Sequence, residues 1–120
     1  LVWAGDRKTS HSPVGTYRVQ VTDRDHPVTK DVNDFEIFDE LYIDLATDPS
    51  LTPRVLATAA YEGRTLPMVQ VFEGGRTEGA GRAVYLANGH DLRAFECPAM
   101  RQLWTNSVRW LTGQAGTDAL

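Results

Sequence analysis

Cysteine occurs once in these 120 residues, at Cys97, so the chain forms neither an internal disulfide nor a cysteine-based structural zinc site. A reducing, cytoplasmic setting is the expectation that follows. Neighbouring basic residues occur only at Arg7-Lys8 and the formal net charge is -4, which leaves no footprint for nucleic acid. No apolar run approaches the roughly 18 residues of a helical membrane span, so no membrane partner is expected. The chain opens on Leu1 rather than Met, and LVWAGDRKTSHS has no apolar stretch of the signal-peptide kind. That opening suggests a segment cut from something longer.

What is present is ordinary. Hydrophobic residues make up 42% and charged ones 23%, a balance that suits a single globular domain. We expect one domain over residues 1–113 and a flexible tail over 114–120, where GQAGTDAL offers little to bury.

Alternation marks the strands. Residues 15 to 23 set Tyr17, Val19 and Val21 against Arg18, Gln20 and Thr22. RDHPVTKDVND then turns, with Pro27 holding His26 in extended geometry. A second strand is expected over 35 to 45 and a third over 54 to 61. A hairpin with a long glycine-rich loop, EGGRTEGAG, joins 67–73 to 82–89. The mainly apolar RAVYLANG reads as a strand buried on both faces. From Pro98 the period changes: Met100, Leu103, Trp104, Val108 and Leu111 share one helical face, and Gly113 supplies the stop. About five strands and one helix make a lopsided set, because strands apolar on both faces need cover on both sides.

One strand carries an anomaly. In FEIFDELYIDL, Phe35, Ile37, Leu41, Ile43 and Leu45 form an apolar face, and Asp39 falls on it beside Glu40. A bulge could re-aim both acids, the strand could stop near Phe38 and restart, or Asp39 could be buried with its hydrogen bonds satisfied. Flanked by Phe38 and Tyr42, Glu40 would be half desolvated, a setting that suits proton transfer. His90, at a strand end between Gly89 and Asp91, is placed to present its ring, with a carboxylate near to fix its tautomer. His26 reads as a turn residue. His11 lies in a polar loop, and the histidine spacing shows no metal-ligand pattern. Cys97, before Pro98, lacks the elbow of a thiol nucleophile, and EGGRTEGAG is no phosphate cradle, so no nucleotide cofactor is expected. Trp3 is a candidate for stacking on a sugar.

Taken in order, Asp25-His26-Pro27-Val28, Asp39-Glu40-Leu41-Tyr42, Val55-Leu56-Ala57-Thr58-Ala59, Gly81-Arg82-Ala83-Val84-Tyr85, Gly89-His90-Asp91 and the closing Trp-containing helix resemble the trehalose-utilisation (ThuA-like) family. The resemblance covers residues 9 to 113. It implies a class I glutamine amidotransferase-like, flavodoxin-like fold, a three-layer α/β sandwich on a mainly parallel sheet, of which this chain would be the C-terminal part. It also implies a role in the metabolism of trehalose or related keto-sugars, with a small-molecule carbohydrate as partner; formation of homo-oligomers through an uncovered sheet face is an option that follows from the lopsided element count instead. On that pattern Glu40 and His90 match the catalytic residues of a pocket. His11, in Ser10-His11-Ser12 where the family has a Gly-His-Gly wording, joins Asp39, Tyr42 and Asp91 as substrate-binding. A divalent metal held by His11 and His90 is a further option. The reaction expected is an isomerisation, elimination or hydrolysis rather than glutamine hydrolysis. The alternative is a carbohydrate-binding or assembly module with no catalysis.

Overall fold

The structure, a computed structural model, describes residues 9–45, 48–74 and 81–114. The expectations for Trp3, Arg7-Lys8, most of the EGGRTEGAG loop and the tail beyond Gln114 lie outside the described residues.

Seven strands and one helix follow in chain order: β1 (Ser10–His11), β2 (Gly15–Val21), β3 (Phe35–Asp39), β4 (Tyr42–Ile43), β5 (Arg54–Tyr61), β6 (Arg64–Glu73), β7 (Arg82–Leu86) and α1 (Pro98–Leu111). Five strands form one sheet in the order β3-β2-β5-β6-β7, and β1 pairs with β4 in a small ribbon. Alternation governs β2 and β3: Val19 and Val21 of β2 and Phe35, Ile37 and Asp39 of β3 point inward, while Arg18, Gln20, Glu36 and Phe38 stay wet. A two-residue turn closes β5 onto β6, with Glu62 at φ 46° and Gly63 at φ 76°. Left-handed values at both positions match the twist of a tight hairpin.

Among the described residues every strand pairing is antiparallel. The expected parallel three-layer sandwich of glutamine amidotransferase or flavodoxin type is therefore incorrect for this chain. Parallel neighbours need a crossover of about a dozen residues or more, most often a helix between strands. Here the helix follows the last strand, so it connects no pair of them. The register also moves the doubly buried strand. β6 keeps Leu66, Met68, Val69, Gln70, Val71 and Phe72 inside. β7, expected to be covered on both faces, is an edge strand with Arg82 and Ala83 exposed.

Helix α1 has Pro98 in its first turn, and Gly113 follows its end at φ 77°. Its buried face is not the one expected. Met100, Leu103, Asn106, Ser107 and Trp110 are buried, whereas Trp104, Val108 and Leu111 are exposed. The helix carries two apolar stripes, and polar groups decide which one turns inward. Asn106 Nδ2 donates to the carbonyls of Val28 at 2.9 Å and Lys30 at 2.8 Å, and Ser107 Oγ donates to Leu103. The two Asn106 bonds fasten α1 to the turn at Pro27–Thr29, while the Ser107 bond stays within the helix. His26 seals the joint: its Nδ1 accepts the Val28 N–H, and its ring meets Trp110 edge-on at 4.9 Å. Burial holds the His26 pKa below its usual value, assisted by the Arg54 charge. His26 is thus structural, as its turn sequence suggested.

Candidate functional site

Asp39 is the last residue of β3 and is 1% exposed. Its carboxylate is fully engaged. Oδ1 accepts the N–H of Glu40 and of His90, each at 2.9 Å, while Oδ2 accepts the Gly89 N–H at 2.8 Å and Asn88 Nδ2 at 3.0 Å. These bonds offset the desolvation of a buried carboxylate and set the turn after β7. Gly89 suits that turn because its φ of 125° disfavours side chains, and a Cβ would sit 3.4 Å from the Phe95 ring. The β2–β3 register runs unbroken to Asp39, so there is no bulge at the acidic pair. The strand stops and restarts in the other ribbon, and Asp39 is buried and satisfied.

Glu40 takes the opposite part. Its side chain is 9% exposed, and its two oxygens reach two imidazoles. Oε2 lies 3.2 Å from His11 Nδ1 and Oε1 lies 3.2 Å from His90 Nδ1. Ser12 brings His11 here. Its N–H donates to the Leu41 carbonyl and its Oγ accepts the Leu41 N–H, both at 2.8 Å. His11 Nδ1 also lies 2.9 Å from the Ser12 carbonyl. Because His11 Nδ1 faces two acceptors and His90 Nδ1 faces the Glu40 carboxylate, each Nδ1 carries its ring's proton in the neutral form and each Nε2 keeps its lone pair. The His11 and His90 side chains are 61% and 40% exposed, so these rings stand between the buried carboxylate and solvent.

Tyr42 pairs across the ribbon with His11. Burial raises its phenol pKa, and the charges of Glu40 and Asp39 and a hydrogen bond to Glu40 raise it further. The cleft beside it, about 230 Å³, is lined by Tyr42, Asp44, Leu45, Arg64, Thr65, Leu66 and Pro67. A more apolar cleft of about 250 Å³ lies away from these groups, between β7 and the exposed stripe of α1.

The remaining candidates separate. Asp91, expected beside His90 as a tautomer-fixing acid, turns instead to Arg93, whose Nη2 meets its Oδ2 at 2.5 Å. That guanidinium and the Arg93 N–H hold the Asp91 pKa down at about 2. Glu40 supplies the carboxylate that His90 uses. Among the described residues no group of three or more His, Cys, Asp or Glu is arranged to hold a metal ion. Cys97 Sγ, 3.6 Å from the Glu36 carbonyl, sits at the helix entrance. Ser12 and Asn88 escaped the sequence reading. An Asn-Gly pair signals a turn, but nothing in the sequence announces that Asn88 donates to a buried acid.

The model of a family described as trehalose utilisation (ThuA) matches residues 2–111. The chain belongs to that family. Two solved ThuA-like proteins share the fold of this ThuA chain. One, from Parabacteroides merdae, aligns with a TM-score of 0.72 at 23% identity, over 92% of this chain and 43% of its own. The other, from Bacteroides uniformis, gives 0.66 at 19%, over 92% and 48%. The chain therefore spans less than half the length of either structure. No curated protein matches it.

Proposed function

We propose that this ThuA domain serves trehalose-related carbohydrate metabolism by acid/base chemistry on a keto-sugar, with His90 and Glu40 as a dyad. The observation that carries the reading is a buried carboxylate shared by two imidazoles from distant parts of the chain. A proton beside a sugar carbonyl passes to His90 Nε2 as the lone-pair base, and the imidazolium so formed is held by the Glu40 carboxylate behind it. His11, the more open ring, donates to or accepts from the neighbouring oxygen. Proton removal from one carbon and its return to another atom amounts to isomerisation, and loss of an oxygen leaving group instead amounts to elimination. Asp39 takes no part in substrate binding under this reading, since all four of its bonds go to the protein.

Kinetics on the intact protein test the proposal. His90→Ala and Glu40→Gln should each lower turnover of a keto-disaccharide by about 10²-fold or more while the thermal midpoint stays near wild type. Wild-type rates in both variants end it. The alternative, a binding module, is favoured by the openness of His11 and predicts sugar binding with no product formed under any condition.

A further inference from the structure

Tyr42 faces two ways. Its phenol lies close enough to the Glu40 carboxylate for that charge to raise its pKa, and the residue forms one wall of the 230 Å³ cleft that runs to β6. Across that cleft Arg64 Nη1 meets Asp44 Oδ1 at 2.6 Å, with the two side chains 53% and 49% exposed. Leu66 and Pro67 supply an apolar floor and Thr65 a hydroxyl. Asp44 holds its carboxylate there from a left-handed backbone, φ 57°, a conformation that costs a non-glycine residue free energy and is found disproportionately at ligand sites. Its carbonyl is fixed by the Thr9 hydroxyl at 3.2 Å. Arg64 comes directly after the tight β5–β6 turn, so its root is rigid.

We infer that the cleft between Tyr42 and Arg64 is a subsite for a second sugar ring, joined through Tyr42 to the ring that meets His90. This rests on the reading above and extends it from one ring to two. A planar guanidinium and a carboxylate side by side offer donors and acceptors spaced for vicinal hydroxyls, and the apolar floor takes a ring face. The cleft falls below the roughly 300 Å³ at which pockets for whole drug-sized ligands begin, which fits a single ring. Tyr42 then links the cleft to Glu40, because a sugar bound against the phenol changes the surroundings of the carboxylate that lies 3.2 Å from both imidazoles.

Titration by NMR with trehalose and with glucose, following the amides of Asp44, Arg64 and Thr65 and the imidazoles of His11 and His90, tests this. The expected result is that trehalose shifts both sets whereas glucose at matched saturation shifts chiefly the imidazoles. Arg64→Leu should weaken trehalose about tenfold and leave glucose affinity unchanged. Asp44→Asn, which keeps the shape of the lip, should do the same to a smaller degree and guards against a folding failure in the first variant. Trehalose shifts confined to the imidazoles would overturn the subsite and spare the dyad. Shifts confined to the cleft would establish it as a sugar site and remove the proposed catalytic reading. No shift in either set overturns both.

Discussion

Asp39 and His90 stand 51 residues apart in the chain, yet the Asp39 carboxylate accepts the His90 N–H at 2.9 Å. The acid that looked misplaced on an apolar face is therefore the anchor of the turn that presents the histidine. Because three of its four bonds satisfy backbone N–H groups, removing it strands donors in the interior. Asp39→Leu should cost about 3 kcal/mol or more by denaturant unfolding, at about 1–3 kcal/mol for each buried group left without a partner. A loss below about 1 kcal/mol would mean that water reaches the turn.

Glu40 should dictate the tautomer of both rings. Nitrogen chemical shifts at a pH where the rings are neutral should place the proton of His11 and His90 on Nδ1. In Glu40→Gln the amide oxygen can accept from only one ring; His11 can still donate to the Ser12 carbonyl, so His90 is the ring whose tautomer depends on which end of the amide it meets. Protons found on Nε2 in the wild type would refute the arrangement.

His26 should make stability depend on pH. Burial lowers its folded pKa below 6.5, so between that folded value and 6.5 the unfolded chain binds more protons than the folded one. Its contribution is complete above 6.5 and is lost as pH falls toward the folded value. The positive charges of Arg54 and Arg82 work with burial, while Asp23 and Glu73 oppose it. His26→Asn keeps a cap for Val28 but cannot titrate, so its unfolding free energy should fall less steeply with acidification. Equal slopes would rule His26 out as the sensor.

At Gly89 even a methyl group is costly. Gly89→Ala should destabilise by about 1–3 kcal/mol, since φ 125° strains any residue with a side chain, although its Cβ would meet Phe95 at ordinary contact distance. Turnover should fall further than stability explains, because the same residue aims His90. An unchanged melting curve would show that the turn adapts freely.

Helix α1 permits a direct check on which stripe is buried. Leu103→Ala should cost about 2–5 kcal/mol, while Val108→Ala at 46% exposure should stay within about 0.5 kcal/mol. The reverse order would turn the helix over.

Period and punctuation carried much of the fold. Residues 54 to 61 form a strand as expected because Pro53 and the Glu62-Gly63 turn bound an apolar run too short for a helix. Pro98 and Gly113 bracket α1 because a proline tolerates a first turn and a glycine accepts the left-handed stop. His11, Glu40 and His90 were legible through the resemblance, and through a carboxylate that broke an alternation. Asp91 misled because adjacency in sequence is not adjacency in space: Arg93 captures it within its own loop.

The sequence by itself determined the helix and the main strands β2, β3, β5, β6 and β7, the inward alternation of β2 and β3, and the family, since these depend on local geometry and residue order, whereas the β1–β4 ribbon was not legible in it. Only the tertiary structure decided that the strands run antiparallel, that Trp104 faces out while Asn106 is buried, and that Asp39 grips a turn from a distant segment. Direction and pairing arise from hydrogen bonds between remote segments, and alternation along a single strand is the same whichever way its neighbour runs.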